Sequence, residues 1–555
     1  LYTEGYFHQR IDAAGRQQEF WIDIDAERLP AVLVTGEDGF PVTFTVPIRG
    51  HDIVVQVWRV DVGRVPLYLL DAQRAENSPV DRWVSARLYV GDRHLRLAQY
   101  ALLGMGGVRA LRALGIDPGL LHVNEGHAAL AGVELAREAV AAGASFDEAL
   151  EESRRRMVFT THTPIAAGNE SYTADEVDAV LGGLPGALGV DDHRFLGLGR
   201  SRPEDAHEPF GMTQLGIRLS RAANAVSRLH GDVARGMWQP MFPDRLRQDV
   251  PIGQVTNGVH LPTWMAPPMR RLLDRFLGAG WWDRAADPAT WEAVEDIPDE
   301  DLWAVRNDLR ADLVGYLRGR SAAERLGRGE PAAYVEAAAQ AFDPEVLTIG
   351  FARRLVGYKR LSLLVHDLDR VFRILETPVQ IVLAGKAHPS DDEAKRILEH
   401  VFGLKWAPHV AERVAYLEDY EMGVAWHLVS GCDLWVNLPR PPLEASGTSG
   451  MKSALNGGLQ LGVLDGWWAE AHDGHNGWAI TGEPTPDTGA QDARDAATLY
   501  DLVEQEVISL FRDRDGSGVP REWVRRIKAS LRSLAPRFNA TRMMGDYLDG
   551  SYRSS

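Results

Sequence analysis

The sequence predicts an α/β protein whose second half is a doubly wound parallel sheet, and three observations carry that reading. Short apolar runs rich in β-branched residues recur at 346–351 (VLTIGF), 379–384 (VQIVLA), 414–417 (VAYL), 432–437 (CDLWVN) and 459–464 (LQLGVL). Gly, Pro or polar residues bound each run, as they do buried strands. A spacing of roughly thirty residues leaves room for a crossover helix between successive strands, which is the βαβ unit of a parallel sheet.

The elements follow in chain order. The first half opens with hairpin-like text, EFWIDIDAERLPAVLVTG (19–36), then FPVTFTVPI (40–48) and HDIVVQVWRV (51–60). It turns helical through 95–114 and 127–143 and carries a strand-like RMVFTTHTP at 156–164. We place a boundary near residue 257, just after QVTN, where the Pro-containing GVHLPTW begins, giving domains 1–256 and 257–555. An acidic, helix-favouring stretch at 283–340 leads into the second sheet. Crossover helices are predicted at 358–373 and 390–402, the latter opening on Ser390 and three acids that suit a helix N-terminus. GEPTPDTG at 482–489 reads as a loop before further helical text.

Composition narrows the function. At 555 residues, with 45% apolar and 25% charged, the chain is too long for a lone binding module and has the material for a core. Lys+Arg 60 against Asp+Glu 78 leaves a net charge of −18, which repels phosphate backbones and anionic lipid. Neither nucleic acid nor membrane is therefore expected as a partner. The single cysteine, Cys432, forms no intrachain disulfide, and no Cys/His cluster has zinc spacing, so we expect a reducing, cytoplasmic setting and no metal. The text shows no membrane span or leader. It begins at Leu1 instead of Met, for which processing, truncation or a longer parent is expected.

The most informative segment is RPPLEASGTSGMKSALNGGLQLGVLDGWW (440–468). A strand, then Gly447, Thr448, Ser449 and Gly450, then a helix carrying Lys452, aims backbone N–H groups at a phosphate from a helix N-terminus. It is not a Walker A motif, since Met451 separates the second glycine from the lysine. By composition alone it reads equally as a flexible glycine loop with a solvated lysine. In GFARRLVGYKR (350–360), Arg353, Arg354, Lys359 and Arg360 follow a strand at the carboxyl end where open α/β sheets bind ligands. They suit an anion or a solvated basic face. FTTHTPIAAGNE (159–170) sets His162 on a loop after a strand, where it is a ligand-contacting or a capping residue. NEGH (124–127) raises the same question for Glu125 and His127, and Asn257 could hold a turn. The pairs Trp281–Trp282 and Trp467–Trp468 suit sugar stacking or a core.

Together these residues closely resemble the α-glucan phosphorylase family of glycogen, starch and maltodextrin phosphorylases. EASGTSGMKSALNGGLQLGVLDG looks like the family's pyridoxal-phosphate lysine region, and GFARRLVGYKR, AGKAHP, TNG with Trp264, NEGHAAL and THTP match in family order. The resemblance extends to FNATRMM, and EGYFHQRID and LLGMGGVRALRALGI suggest the shorter bacterial branch. Arg353–Arg354 departs from the Lys–Arg of many members, which keeps charge and alters donor geometry.

The resemblance implies two facing Rossmann-like domains in the GT-B arrangement, with the site between them. Members usually carry, before the EGYF-type segment, a glycine-rich loop that closes over the site, so a first domain incomplete at its start is expected. Lys452 is implied as the Schiff-base lysine of pyridoxal 5'-phosphate. Arg353 and Arg354 would bind inorganic phosphate, and Lys359 would reach the cofactor phosphate, held also by Thr448, Ser449 and Gly450. His162, Asn257, Glu444, Ser446 and Gly447 would meet the transferred glucosyl unit, and Tyr420 and Trp264 would flank the cofactor ring. The implied activity is phosphorolysis of α-1,4-glucan to α-D-glucose 1-phosphate by a homodimer or larger homo-oligomer. A nucleotide-sugar-dependent glucan synthase of the same fold, or a non-catalytic glucan-binding fragment, is the alternative.

Overall fold

The computed structural model describes residues 1–407, 409–482 and 485–553, so residues 483 and 484 of the expected 482–489 loop lie outside the described residues. The chain opens with an antiparallel hairpin, β1 (His8–Ile11) and β2 (Gln17–Phe20), in which Ile11 faces Gln17. Of the text 19–36 read as a hairpin, Glu19–Phe20 and Val32–Leu33 lie in strands and Thr35 bridges Pro41, while Asp25 caps a 3-10 turn at Ala26–Arg28 between them by accepting from Glu27 N–H at 3.0 Å. A meander follows: β3 (Thr43–Ile48), β4 (His51–Val62) and β5 (Val65–Asp71). The sequence reading missed β5, whose text VPLYLLD carries a proline and no apolar alternation.

Helix α1 (Arg93–Ala113) starts at Asp92, whose side chain accepts from Leu95 N–H at 2.7 Å. It packs on α2 (Leu130–Ala141) through Gly104, where a Cβ would lie 2.8 Å from the Ala131 nitrogen. The first parallel sheet joins β6 (Leu121–Asn124), β7 (Met157–Thr160), β8 (Ala222–Ala225) and β9 (Ile252–Gln254) in the order β9-β8-β7-β6.

After the long helix α3 (Asp299–Gly327) comes a second parallel sheet. Its strands are β10 (Leu347–Ala352), β11 (Val379–Ala384), β12 (Val414–Leu417), β13 (Leu434–Asn437), β14 (Leu459–Val463) and β15 (Gly477–Ile480), in the order β12-β11-β10-β13-β14-β15. Counted from β10 this is 3-2-1-4-5-6, the doubly wound order, with its switch point beside β10. The helix expected at 358–373 is displaced. Two 3-10 turns flank Arg360, which sits in the left-handed region at φ 51°, and α4 (Leu368–Glu376) begins only after Asp367 caps it. Helix α5 (Asp392–Gly403) is capped by Asp391 and not by Ser390.

Two apolar cores form, one running from Val46 to Ile252 and one from Val259 to Phe538 with Ile11 added. Both chain ends reach across this division. Gln9 Nε2 donates to Gly385 O at 2.9 Å, and at the other end Asn224 Nδ2 donates to the Tyr547 hydroxyl at 3.1 Å. Trp281, Trp467 and Trp468 are core residues, at most 1% exposed, which excludes them as sugar platforms. Cys432 is buried. Among the described residues no helix is long and apolar enough to cross a membrane, and no group of three or more His, Cys, Asp or Glu is placed to hold a metal ion.

Candidate active site

The sequence-predicted residues sit on segments that follow the carboxyl ends of parallel strands, where loop backbone and side chains are free to face a ligand. His162 follows β7, and Asn257 and Trp264 follow β9. Arg353, Arg354 and Lys359 follow β10, Tyr420 follows β12, and Glu444 to Lys452 follow β13. The two sheets meet at these ends, for Ser227 Oγ, just after β8, donates to Ala445 O at 2.6 Å. Nearby, Thr256 Oγ1 donates to Glu470 at 2.9 Å.

Glu444 is the hub of a buried charge cluster. Its Oε2 accepts from Arg353 Nη2 at 2.7 Å, and Lys359 Nζ donates to Oε1 and Oε2 at 2.7 and 2.6 Å. Arg353 also donates to Asn437 Oδ1 at the end of β13. All four residues are at most 9% exposed. Burial drives the Lys359 ammonium down to about 7, with Arg353 adding to the fall and Glu444 opposing it. For Glu444, burial pushes the carboxyl up, but Arg353 and Lys359 outweigh it and hold the group below the usual carboxylate range.

The loop after β13 is built for close approach. Gly447 has φ 89°, where a Cβ would press to 3.3 Å from Asn437 Nδ2 and from Glu444 Cγ. Gly450 serves a different end: a Cβ there would lie 2.3 Å from Gln460 Oε1 and 2.9 Å from Trp467. Thr448, Ser449 and Gly450 open helix α6 (Thr448–Ala454), whose first N–H groups have no intrahelical acceptor. Ser449 Oγ accepts from Trp435 Nε1 at 3.1 Å. Among the described residues Arg353 Nε, Asn437 Nδ2 and Ser446 Oγ are buried without a partner, three polar atoms of one neighbourhood that suit a polar ligand.

Lys452 and Trp264 come together: the Lys452 Nζ stands 3.8 Å from the centre of the Trp264 ring. Among the described residues the Nζ has no acceptor, and burial lowers its affinity for a proton. Asn456 fixes this pair, donating to Trp264 O at 2.8 Å and to Lys452 O at 3.1 Å while accepting from Ala266 N–H at 2.7 Å. Tyr420 packs against the second core, its hydroxyl pushed up to about 12 by burial and drawn back by Arg353.

The other expected residues make contacts of their own. His162 Nε2 bonds Asn124 Oδ1 at 2.9 Å, and burial lowers the ring's affinity for a proton. Asn257 N–H donates to Val226 O at 3.1 Å. Arg354 is exposed, beside the Tyr358 hydroxyl. Arg360, grouped with the anion-binding cations in the sequence, is turned away: its guanidinium reaches Leu438 O, Pro439 O, Asp492 and Asp495 at 2.8–2.9 Å. Its left-handed backbone reverses the side chain, and nothing in the charge run signalled that. The sequence reading also passed over Asn437, Asn456 and Asp465. Asp465 accepts from Glu444 N–H at 2.9 Å and Gly466 N–H at 2.8 Å, and burial pushes it up to about 7. A polar residue closing a buried strand, as in LWVN and GVLD, was the available sign.

Pyridoxal phosphate, the cofactor the phosphorylase resemblance implies, fits the residues present. It needs an amine that loses its proton readily and an anion cradle, and Lys452 on Trp264, with the open polar atoms beside Gly447, meets both needs.

The chain is similar in sequence to known proteins over almost its whole length. A family model described as carbohydrate phosphorylase matches residues 116–477. A glycogen phosphorylase of Mycobacterium tuberculosis is 41% identical over 568 residues, covering 99% of this chain and 65% of that protein. A maltodextrin phosphorylase of Thermococcus litoralis is 40% identical over 558 residues, covering 100% of this chain and 65% of that protein. A glycogen phosphorylase of Aquifex aeolicus is 38% identical over 555 residues, covering 100% and 79%. The chain thus spans about 65% of the length of the first two. With a match over most of its length and a charge cluster at the switch point of a doubly wound sheet, this chain belongs to the carbohydrate phosphorylase family.

Proposed function

We propose that the protein is a pyridoxal-phosphate-dependent α-1,4-glucan phosphorylase, cleaving a terminal glucosyl unit with inorganic phosphate to release α-D-glucose 1-phosphate. We further propose a GT-B arrangement, with a glucan-binding domain 1–256 and a cofactor-binding domain 257–555, in a cytoplasmic homodimer or larger homo-oligomer. The observation that carries the function is the buried Arg353–Glu444–Lys359 cluster, set one loop away from Lys452 and its Trp264 ring.

In this reading Lys452 holds the cofactor, with Trp264 and Tyr420 beside its ring. Lys359, Thr448, Ser449 and Gly450 hold its phosphate. When bound, pyridoxal phosphate supplies a second phosphate beside the substrate's, able to exchange a proton near neutral pH. Two unit charges roughly 5 Å apart at an effective dielectric of about 20 repel by roughly 3 kcal/mol, and each phosphate carries more than one. Arg353, Arg354 and Lys359 offset that repulsion. An arriving phosphate competes for the bonds Arg353 and Lys359 now make to Glu444. The released carboxylate is then free to accept from a glucosyl hydroxyl, with His162, Asn257, Ser446 and Gly447 completing the pocket. Glu444 needs no glycosidase-type role in this reading, since the phosphates can supply the proton for the leaving oxygen.

The test is release of α-D-glucose 1-phosphate from maltodextrin and inorganic phosphate by the cofactor-supplied protein. Incorporation of glucose from a nucleotide sugar in its place would establish the synthase reading, and glucan binding with neither activity the non-catalytic one.

A further inference from the structure

Glu125 has φ 60° and ψ 178°, a backbone state that glycine enters freely and residues bearing a Cβ essentially do not. Arg360, by contrast, occupies the ordinary left-handed well at φ 51°, ψ 50°. Such a state persists only where the surroundings over-determine it, and here they do. Glu125 N–H donates to Thr160 O at 2.8 Å. The next residue is closely packed, since a Cβ on Gly126 would lie 2.6 Å from Met212 Cβ.

The constraint has a visible product. The Glu125 carboxylate crosses from the end of β6 to the end of β7, where Oε1 accepts from the backbone N–H of His162 and from Thr161 Oγ1 at 3.2 Å. Its neighbour Asn124 accepts from His162 Nε2 at 2.9 Å. Two consecutive residues therefore grip one histidine, one by its main chain and one by its ring. With Nε2–H donating to Asn124, the neutral ring keeps Nδ1 as an acceptor that has no partner among the described residues.

We propose that Glu125 is a positioning residue for sugar recognition, held in a strained backbone state because that state places its carboxylate on the His162 N–H and so presents the His162 Nδ1 to a glucosyl hydroxyl. This rests on the reading above that His162 meets the transferred sugar. A glycine at 125 would relax the backbone and lose the grip. A glutamate in a relaxed state would point its carboxylate elsewhere.

The test compares Glu125→Gly, Glu125→Gln and His162→Ala in the cofactor-supplied full chain, using the His162 ring 13Cε1–1H signal, the thermal midpoint and glucan kinetics. For Glu125→Gly we expect a shifted or broadened ring signal and a fall of about tenfold in kcat/KM for glucan, the size of one charged hydrogen bond. Its midpoint should stay close to that of the parent. Glu125→Gln still accepts from the His162 N–H, so it should retain the ring signal and most of the activity. In the His162→Ala background, Glu125→Gly should cost little more. An unchanged ring signal in Glu125→Gly overturns the proposal, as does a midpoint falling in step with activity, or a Gln variant as impaired as Gly. A shifted ring signal with His162→Ala leaving glucan kinetics untouched would instead overturn the sugar-contacting reading of His162.

Discussion

Lys359 Nζ lies within 2.7 Å of both carboxylate oxygens of Glu444, so the lysine expected to face a phosphate is already paired inside the protein. Arg353 shares the same carboxylate. One acid thus serves two cations in a buried space, and the surplus positive charge is what attracts an anion. The acid also keeps the cluster tolerable, since two unpaired buried cations would be strongly destabilising.

If Lys359 faces phosphate as proposed, its ammonium, driven down to about 7 by burial, should make phosphate use pH-dependent. Below that pH the amine is charged and attracts phosphate. As pH rises through it the proton leaves and the attraction falls. We expect kcat/KM for phosphate, which reports the free protein, to decline above about pH 7. Lys359→Arg, whose guanidinium stays charged, should flatten that limb, and Lys359→Ala should lower phosphate use by roughly tenfold to a hundredfold. The same declining limb in the Arg variant would assign it to another group.

Much of this site was legible in the sequence, and the limits were physical. Period and spacing located five of the six strands of the second sheet, because buried parallel strands read as continuous apolar runs. The last, Gly477–Ile480, is four residues after a glycine-containing turn and too short to stand out. Of the four cations read together, Arg353 and Lys359 turn toward Glu444 while Arg360 turns away to Asp492 and Asp495. Charge runs record composition, and the left-handed kink at Arg360 that sorts them is set by tertiary contacts. Asn437 carried only the sign of a polar residue closing a buried strand, and Asn456 carried none, since it matters only through the backbone groups that the fold brings to it.

Arg353 and Arg354 are adjacent and should behave differently. Arg354 is exposed, so Arg354→Ala should weaken phosphate use by about tenfold, leave glucan affinity nearly unchanged and cost little stability. Arg353→Ala removes a buried partner of Glu444 and Asn437 and should lower both phosphate use and the unfolding midpoint. Steady-state kinetics with each substrate varied in turn, beside thermal unfolding, separates the two. Equal losses for glucan and phosphate in Arg354→Ala would place that residue in the glucan site.

Two lysines here lose their protons readily, and only one is free to react. Lys359 is held by Glu444, whereas Lys452 Nζ has only the Trp264 ring beside it among the described residues. Borohydride reduction of the cofactor-supplied protein, followed by peptide mapping, should therefore place the pyridoxyl group on Lys452. A label on Lys359 would reverse the assignment of the two lysines.

The last prediction concerns Glu324 on α3, far from the phosphate chemistry in its consequences. Its Oε1 accepts from Arg320 Nε at 2.6 Å, but Oε2 is buried without a partner among the described residues, and Glu418, itself bonded by Arg328, stands close enough to disfavour a second charge. Burial first and Glu418 second raise the Glu324 carboxyl from 4.5 to about 7. The folded protein therefore binds more protons than the unfolded chain between those values, and by linkage stability falls as pH rises through that window. The contribution is fully present below about 4.5 and lost above about 7. Glu324→Gln keeps the neutral shape at every pH, so its stability relative to the parent should grow between pH 5 and pH 8 by on the order of 1–3 kcal/mol. Glu418 is raised in the same direction, and part of the pH dependence should survive in the variant. Urea unfolding at the two pH values measures the difference, and parallel pH profiles for parent and variant would show that Glu324 is ionised throughout.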